Sequence, residues 1–220
     1  MNAGLTATEL ALLAHELRGA LTVIVGLSDL LGSGLSPAEQ VASLKGIDHA
    51  VLRADALIAS ALEGKAPVRK LATEPVDVAD LTGQAVSDQR AVTGREVVLS
   101  ARATPVVAGE LHALERAIGN LIDNAVKYSP AGSVIEVSVS VEEVWAVIEV
   151  ADRGPGIPEA HRSVVFEPFE RLGRDDTEPG SGLGLSVVRS VAEAHGGSVS
   201  ALPREDGGTI MRLVLPLAES

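Results

Sequence analysis

A heptad repeat in the first third of the chain constrains the fold more than any other sequence feature. Apolar or small residues alternate there at steps of three and four, the spacing of a helix that packs along partner helices. The repeat comprises Leu10, Leu13, Leu17, Ala20, Ile24, Leu27 and Leu31. A second repeat comprises Leu44, Ile47, Val51, Ala54, Ile58 and Ala61. The first third of the chain is therefore predicted to form two long helices.

The segment between the two repeats has the features of a helix-to-helix turn. Residues 32–34, Gly-Ser-Gly, break the first helix, and Ser36-Pro37-Ala38-Glu39 supplies an N-cap, a proline at the first helical position and a capping-box glutamate. We predict an antiparallel helical hairpin over residues 1–64. One such hairpin has too little apolar surface to stand alone, so we expect two of them to form a four-helix bundle in a homodimer.

Beyond the hairpin, strand and helix patterns mix. Residues 65–75 contain two prolines and three basic residues and are predicted to be a linker. Extended segments are predicted over residues 75–78, 97–101, 106–107, 134–141, 144–150, 198–202 and 209–217, and helices over 79–92, 110–128 and 183–195. This order predicts a mixed sheet with helices on one side, which is an α+β domain over residues 76–220.

Composition excludes several classes of function. The 220 residues include no cysteine, which excludes disulfides and thiolate metal sites, and the formal net charge of −12 argues against nucleic-acid binding. The sequence contains no run of about 18 apolar residues, so it predicts no membrane span. The first ten residues lack the pattern of a secretory signal. We expect a cytoplasmic location, for the chain by itself or as the cytoplasmic part of a membrane-anchored protein.

His15 is the candidate nucleophile of the hairpin. It falls at the heptad position farthest from the seam, so its imidazole is expected to face solvent. Glu16 follows directly, and its carboxylate can take or hold the second ring proton. An isolated outward His-Glu pair on a charged face more often has no function, and His49, at the equivalent position of the second helix, is interpreted that way.

The segment NLIDNAVKYSP, residues 120–130, places polar groups on one face of a helix. Asn120, Asn124 and Lys127 are separated by four and three residues. Two amides and an ammonium group suit a triphosphate with its Mg²⁺. The alternative is a solvated stripe on an amphipathic helix, which the two asparagines disfavour because they lower helix propensity.

Two glycine-rich segments follow. In DRGPGIP, directly after an apolar strand, Gly154 and Gly156 allow the backbone to approach a ligand closely, and Asp152 can accept a hydrogen bond from a base amine. The segment GSGLGLS, residues 180–186, opens a helix whose N–H groups suit phosphate. Taken alone each is a weak signal, because the first is also an ordinary loop and the second is neither a P-loop nor a dinucleotide motif.

FEPFER and the polar residues 172–179 lie between the glycine segments. We interpret this stretch as a mobile lid whose start is anchored by Phe166 and Phe169. Plain core packing is the other interpretation of both phenylalanines, and it is compatible with the anchoring role.

These motifs, in this order, resemble those of the sensor histidine kinases. HELRGALT is similar to the H box of that family, and NLIDNAVKYSP to its N box. DRGPGIP, FEPFER and GSGLGLS are similar to the first glycine box, the phenylalanine box and the second glycine box, and the ending AEAHGG…GGTIMRLVLPL is similar to the last helix and strands. The resemblance runs from about residue 8 to residue 217.

The resemblance implies a multi-domain fold, in which the all-α hairpin is followed by an ATP-binding α+β sandwich of the GHKL (Bergerat) ATPase type. It implies ATP-dependent autophosphorylation of His15, with Glu16 assisting proton removal, and phosphoryl transfer to an aspartate of a response regulator. It also implies a sensor or input domain outside this chain.

Motif by motif, the resemblance also implies site residues. Asn124 would ligate Mg²⁺, and Asn120 and Lys127 would lie near the phosphates. Tyr128 would pack beside the adenine, and Asp152 would bind its amino group. The pocket, the lid and further phosphate contacts would involve Gly154, Gly156, Arg171, Gly180, Gly182, Leu183 and Gly184.

The chain departs from the family pattern after His15. The family usually carries threonine or asparagine four residues after the histidine, followed by proline, whereas this chain has Gly19 and Ala20. The polar residue is implicated in orienting the water that dephosphorylates the regulator, so we predict weak or absent phosphatase activity. The missing proline predicts a less kinked helix.

Two other interpretations stand beside an active kinase. A degenerate kinase would bind nucleotide and act as a dimeric scaffold. This interpretation is disfavoured by the intact residues His15, Asn124, Lys127 and Asp152. A different ATPase of the same superfamily, such as an anti-sigma serine kinase or a gyrase-like enzyme, would lack the hairpin with its histidine. Whether a protomer phosphorylates itself or its partner depends on the handedness of the turn near residues 32–36.

Overall fold

The computed structural model describes residues 7–32, 34–36, 40, 43–44, 46–47, 50–51, 54, 74–167, 170, 182 and 184–218. The chain divides into two compact units, Met1–Arg69 and Lys70–Ser220. The boundary between the units lies inside the segment that we predict to be a linker. No helix in the described ranges is long and apolar enough to cross a bilayer.

The first unit contains helix α1, Ala7–Leu31. Ala20 is buried, and Leu17, Ile24 and Leu27 are partly buried, as the heptad seam predicts. The seam therefore faces protein along the described part of the helix.

A second helical segment packs on α1. The Gln40 N–H donates to Ser36 O at 2.9 Å, which is the i→i−4 bond of a first helical turn, and the residues described between 40 and 54 are helical. A Cβ placed on Gly46 would lie 2.5 Å from Leu27 Cδ1, so this segment approaches α1 closely. These contacts agree with the predicted hairpin.

Helix α1 also exposes large apolar side chains on both sides of its seam. Leu21 and Val25 are 57% and 59% exposed on one side, and Val23 and Leu30 are both 48% exposed on the other. The helix thus has more apolar surface than the second helical segment covers.

Gly19→Ala and Gly26→Ala are each expected to stabilise the hairpin. A Cβ at either position would meet no atom within 4 Å, and alanine is favoured over glycine inside a helix by about 1 kcal/mol. Each change should raise the unfolding temperature of the first unit by roughly 4–8 °C in calorimetry. Gly46→Ala, whose Cβ meets Leu27, is the control and should gain less. Unchanged or lower unfolding temperatures for both variants would contradict the prediction.

The second unit is an α+β domain. Its described elements are β1 (Glu74–Asp77), α2 (Val78–Thr93), β2 (Val97–Ala101), β3 (Val106–Gly109), α3 (Leu111–Tyr128), β4 (Ile135–Glu142), β5 (Trp145–Ala151), α4 (Gly184–Ala194), β6 (Ser198–Pro203) and β7 (Thr209–Pro216), with 3₁₀ turns at Glu159–His161 and Val164–Phe166. Five strands form one mixed sheet in the order β2-β4-β5-β7-β6, in which β2 and β4 are parallel and the other pairs are antiparallel.

Strands β1 and β3 differ from the prediction of a single mixed sheet. They pair with each other as a two-stranded antiparallel sheet, and an isolated bridge from Val107 to Leu217 joins this pair to the chain directly after β7. The predicted strand 75–78 also ends one residue early, because Asp77 Oδ1 accepts the N–H groups of Ala79 and Asp80 and so caps α2.

The core lies between the five-stranded sheet and helices α2, α3 and α4. Alternate residues of the central strands, such as Ile148 and Leu213, are fully buried. Helix α3 buries one apolar face, which comprises Ala113, Leu114, Ala117, Ile118, Leu121, Ile122 and Ala125. The polar N-box residues Asn120, Asn124 and Lys127 lie off this face, at the edge of the core.

His195 joins the start of α3 to the end of α4. Its Nδ1 lies 2.7 Å from Val191 O, and its Nε2 accepts the Glu110 N–H at 3.0 Å. Since Nε2 is an acceptor and Nδ1 faces a carbonyl, the ring is the neutral tautomer with its proton on Nδ1. Gly109 packs against the ring, because a Cβ there would lie 2.9 Å from His195 Cδ2. The histidine of the AEAHGG segment therefore holds the two helices together.

Candidate functional site

Asp152 lies directly after β5 and is only 4% exposed. Its Oδ1 accepts the N–H of Gly154 at 2.7 Å and the N–H of Thr209 at 3.3 Å. Both hydrogen bonds that the described residues donate to this carboxyl end on Oδ1. The other oxygen, Oδ2, can therefore accept a hydrogen bond from a ligand.

The ionisation of Asp152 is perturbed by its surroundings. Burial raises the pKa of this carboxyl above its ordinary value, while the two N–H bonds and the positive charge of Arg204 oppose the rise. Arg204 is held in place by Glu136, to whose Oε1 its Nη2 donates at 2.6 Å. A buried carboxylate with a perturbed pKa is typical of a functional site.

Glycines bring three chain segments together around Asp152. Gly208, with φ +104°, packs directly on the Asp152 carbonyl, because a Cβ there would lie 2.1 Å from that oxygen. A Cβ on Gly154 would lie 2.7 Å from Tyr128 O, and Gly156 has φ +77°. Side chains at these positions would push the segments apart, so the glycines keep the site narrow.

The N-box residues share one face of α3, as predicted. Asn120, Asn124 and Lys127 are all partly buried. The Asn120 Nδ2 donates to Gly184 O at 3.3 Å, and a Cβ on Gly184 would lie 3.8 Å from Asn120 Cγ. This contact joins the N-box helix to the start of α4, which is the end of the second glycine-rich segment.

Lys127 and Tyr128 form a pair at the end of α3. The Lys127 ammonium lies 4.7 Å from the centroid of the Tyr128 ring and donates to its hydroxyl at 3.2 Å. Tyr128 is 39% exposed. An aromatic ring in this position offers part of its surface to a flat ligand.

Several predicted site residues lie outside the described residues. They are Arg171, Gly180, Leu183, Phe169 and His49, the segment 172–179, and the side chains of His15 and Glu16, whose backbone belongs to α1. Gly182 is described and partly buried. Phe166 is buried, so core packing is confirmed for this phenylalanine.

Thr209 and Ser129 belong to the site but were not singled out from the sequence. Thr209 is buried and binds Asp152, and Ser129 Oγ accepts the Arg153 N–H at 3.3 Å. The GGT triplet of the C-terminal segment was a signal for Thr209, because its glycines allow close backbone approach. Ser129 gave no comparable signal.

The arrangement fits a nucleotide. The second Asp152 oxygen can accept from an exocyclic amine, and the Tyr128 ring can pack on a flat base. On the same side of the fold, the amides of Asn120 and Asn124 and the Lys127 ammonium suit phosphate oxygens and a hard cation. The fold and the site thus define a nucleotide-binding domain with an N-box helix.

Comparison with known proteins identifies the class. Residues 109–219 match the family model described as histidine kinase-, DNA gyrase B-, and HSP90-like ATPase, and the chain belongs to this family. Within the family it groups with the sensor histidine kinases. It is 44% identical to the Sensor protein CutS of Streptomyces coelicolor over 149 residues, which are 66% of this chain and 36% of CutS.

Solved structures give the same result. The mycobacterial sensor histidine kinase MprB superposes with a TM-score of 0.60 at 32% identity, over 67% of this chain and 99% of that structure. Full-length ShkA in complex with AMPPNP superposes with a TM-score of 0.68 at 25% identity, over 98% of this chain and 47% of ShkA. The predicted GHKL-type ATPase fold is therefore confirmed. The chain spans less than half the length of CutS and of ShkA.

Proposed function

We propose that this chain is the kinase core of a two-component system, which phosphorylates His15 from ATP and passes the phosphoryl group to an aspartate of a response regulator. The observation that carries the proposal is the buried Asp152 carboxylate near the C-terminal end of the N-box helix. One of its oxygens can accept a hydrogen bond from a ligand. Sequence similarity to sensor histidine kinases supports it.

ATP would be held by groups of distinct chemistry. Asp152 would accept a hydrogen bond from the adenine amino group, and the Tyr128 ring would pack beside the base. Asn120 and Lys127 would bind phosphate oxygens, and Asn124 would supply an oxygen ligand to Mg²⁺. The ion would neutralise negative charge on the phosphates. Arg171, Gly180, Gly182, Leu183 and Gly184 remain predicted contacts of the phosphates and the lid.

The proposed chemistry has two steps. A ring nitrogen of His15 attacks the γ-phosphorus, a P–N bond forms, and the bond from phosphorus to the bridging oxygen breaks so that ADP leaves. Glu16 takes or holds the proton of the other ring nitrogen. A carboxylate oxygen of the regulator then attacks the phosphohistidine, and the P–N bond breaks to restore the imidazole.

The hairpin is proposed to act as a homodimer. The exposed side chains of Leu21, Val23, Val25 and Leu30 support this, because a second hairpin would remove them from water. The signal would come from an input domain outside this chain. The reaction is proposed to occur in the cytoplasm, where ATP and the regulator are available.

Incubation with γ-labelled ATP and Mg²⁺ tests the proposal. The chain should acquire a label that is stable in alkali and lost in acid, as a phosphoramidate is, and a receiver domain should remove it. Nucleotide binding without any label would indicate the degenerate scaffold instead. Release of inorganic phosphate alone, or an acid-stable label on another protein, would indicate a different ATPase of the superfamily.

Gly19→Thr is expected to raise the phosphatase activity, which we predict to be weak or absent in the wild type. The wild type has no side chain at this position to orient a water molecule, and a Cβ there meets no atom within 4 Å, so a threonine fits. Phosphorylated regulator should decay at its own rate with the wild type and several-fold faster with the variant. Gly26→Thr, two helical turns further on, is the control. Rapid decay with the wild type would refute the prediction.

A further inference from the structure

The end of α3 that carries Lys127 and Tyr128 is held by an arginine from a different segment. Arg95 lies between α2 and β2, directly after Gly94, whose φ of +65° ends α2. Its guanidinium donates to four main-chain carbonyl oxygens around this helix end. Nη1 reaches Val126 O at 3.3 Å and Ser129 O at 3.4 Å, and Nη2 reaches Pro130 O at 2.8 Å and Ser133 O at 3.3 Å.

The end of this helix needs an external donor. Val126 O would normally accept the N–H of residue 130, but Pro130 has no N–H. The Arg95 guanidinium takes the place of that donor, and its positive charge is favourable at a helix C-terminus. Ser133 Oγ donates to Pro130 O at 2.8 Å and closes the turn around the arginine.

The turn held by Arg95 contacts the segment that carries Asp152. Ser129 is buried, and its Oγ accepts the Arg153 N–H at 3.3 Å. The Tyr128 carbonyl lies against Gly154, where a Cβ would come within 2.7 Å of it. A shift of the turn would therefore move Tyr128 relative to the Asp152 carboxylate.

We propose that Arg95 is a positioning residue of the nucleotide site. Its guanidinium fixes the turn over residues 126–133 and, through Ser129, sets the spacing between the Tyr128 ring and the Asp152 carboxylate. The inference rests on the proposed nucleotide-binding function, and Arg95 acts without touching the nucleotide. Lysine cannot replace it fully, because its donors share one nitrogen whereas the guanidinium spreads its donors over a planar fork.

Nucleotide affinity of the full chain tests the inference. The Kd for ATP with Mg²⁺ is measured by calorimetry at a temperature well below the unfolding transition of each variant. Arg95→Met is expected to weaken binding about tenfold, or about 1.4 kcal/mol, and Arg95→Lys to fall between it and the wild type. In autophosphorylation, the KM for ATP should rise more than kcat falls. Arg102→Met, which replaces an exposed arginine just after β2, should leave the Kd unchanged.

The outcomes separate this inference from the proposed function. Failure of the wild type to bind ATP would overturn the nucleotide site itself. If the wild type binds and folded Arg95→Met has a Kd within twofold of it, even with a lower unfolding temperature, Arg95 is only structural and the inference is overturned. If Arg95→Met does not fold, the ATP affinities of Arg95→Lys and Ser129→Ala test the inference instead. A Kd unchanged from the wild type in both variants would overturn the inference.

Discussion

His15→Gln is expected to lose all acid-labile labelling from γ-labelled ATP, a fall of at least roughly a thousandfold, because the glutamine amide is not a nucleophile at neutral pH. Glutamine is close to histidine in length and is a good helix former, so α1 should persist. The Kd for ATP should stay within about twofold of the wild type, since the predicted nucleotide contacts lie in the other unit of the chain.

Two matched variants test whether replacing any histidine with glutamine lowers the labelling. His112, near the start of α3, and His161, in a 3₁₀ turn, are both exposed and lie outside the proposed mechanism. His112→Gln and His161→Gln should be labelled as the wild type is. Full labelling of a folded His15→Gln protein would refute the assignment of the phosphoacceptor.

Asp152→Asn is expected to weaken ATP binding by roughly 30–100-fold, about 2–3 kcal/mol. The asparagine oxygen can still accept the N–H groups of Gly154 and Thr209, so the loop should keep its shape. The side-chain NH₂ group would then take the place of Oδ2 and face the adenine amino group. Because both groups are hydrogen-bond donors, no hydrogen bond would form between them. Calorimetric titration with ATP and Mg²⁺ measures the loss.

The raised pKa of Asp152 gives the sign of two pH effects. The folded chain holds a proton on this carboxyl more readily than the unfolded chain does. The ionised carboxylate therefore lowers stability above the raised pKa, and this loss is recovered as the pH falls through it. ATP affinity should change in the opposite sense, because protonation removes the negative charge that attracts the amino group.

The same variant separates these effects. At neutral pH, Asp152→Asn should unfold at the wild-type temperature or above while binding ATP poorly. As the pH is lowered towards the raised pKa of Asp152, the affinity of the wild type should fall relative to that of the variant measured at the same pH, because only the wild type loses a negative charge at this position. A large loss of stability together with the loss of binding would show that Asp152 is structural instead.

Local sequence patterns predict where two parts of the candidate site lie. The spacing of Asn120, Asn124 and Lys127 follows the helical period, so their shared face could be derived without a fold. Asp152 was identified because a strand and a glycine-rich turn flank it. Both inferences depend only on residues that are close to each other in the sequence.

Contacts between distant segments could not be predicted. Thr209 and Asp152 are 57 residues apart, and Ser133 and Arg95 are 38 apart. No periodicity connects such pairs, and only the folded sheet and helices bring them together. The separate sheet of β1 and β3 was missed for a related reason, since strands of four residues carry too little pattern to specify their partner.

The hydrogen bonds of the His195 ring limit which histidines of the chain can be phosphorylated. The chain has five histidines, and a phosphoramidate forms only at a ring nitrogen that has a free lone pair and room for a tetrahedral group. In His195, one nitrogen holds the proton shared with Val191 O and the other lends its lone pair to the Glu110 N–H, in a residue that is 9% exposed. Any phosphohistidine detected by mass spectrometry in the folded chain must therefore be assigned among the other four.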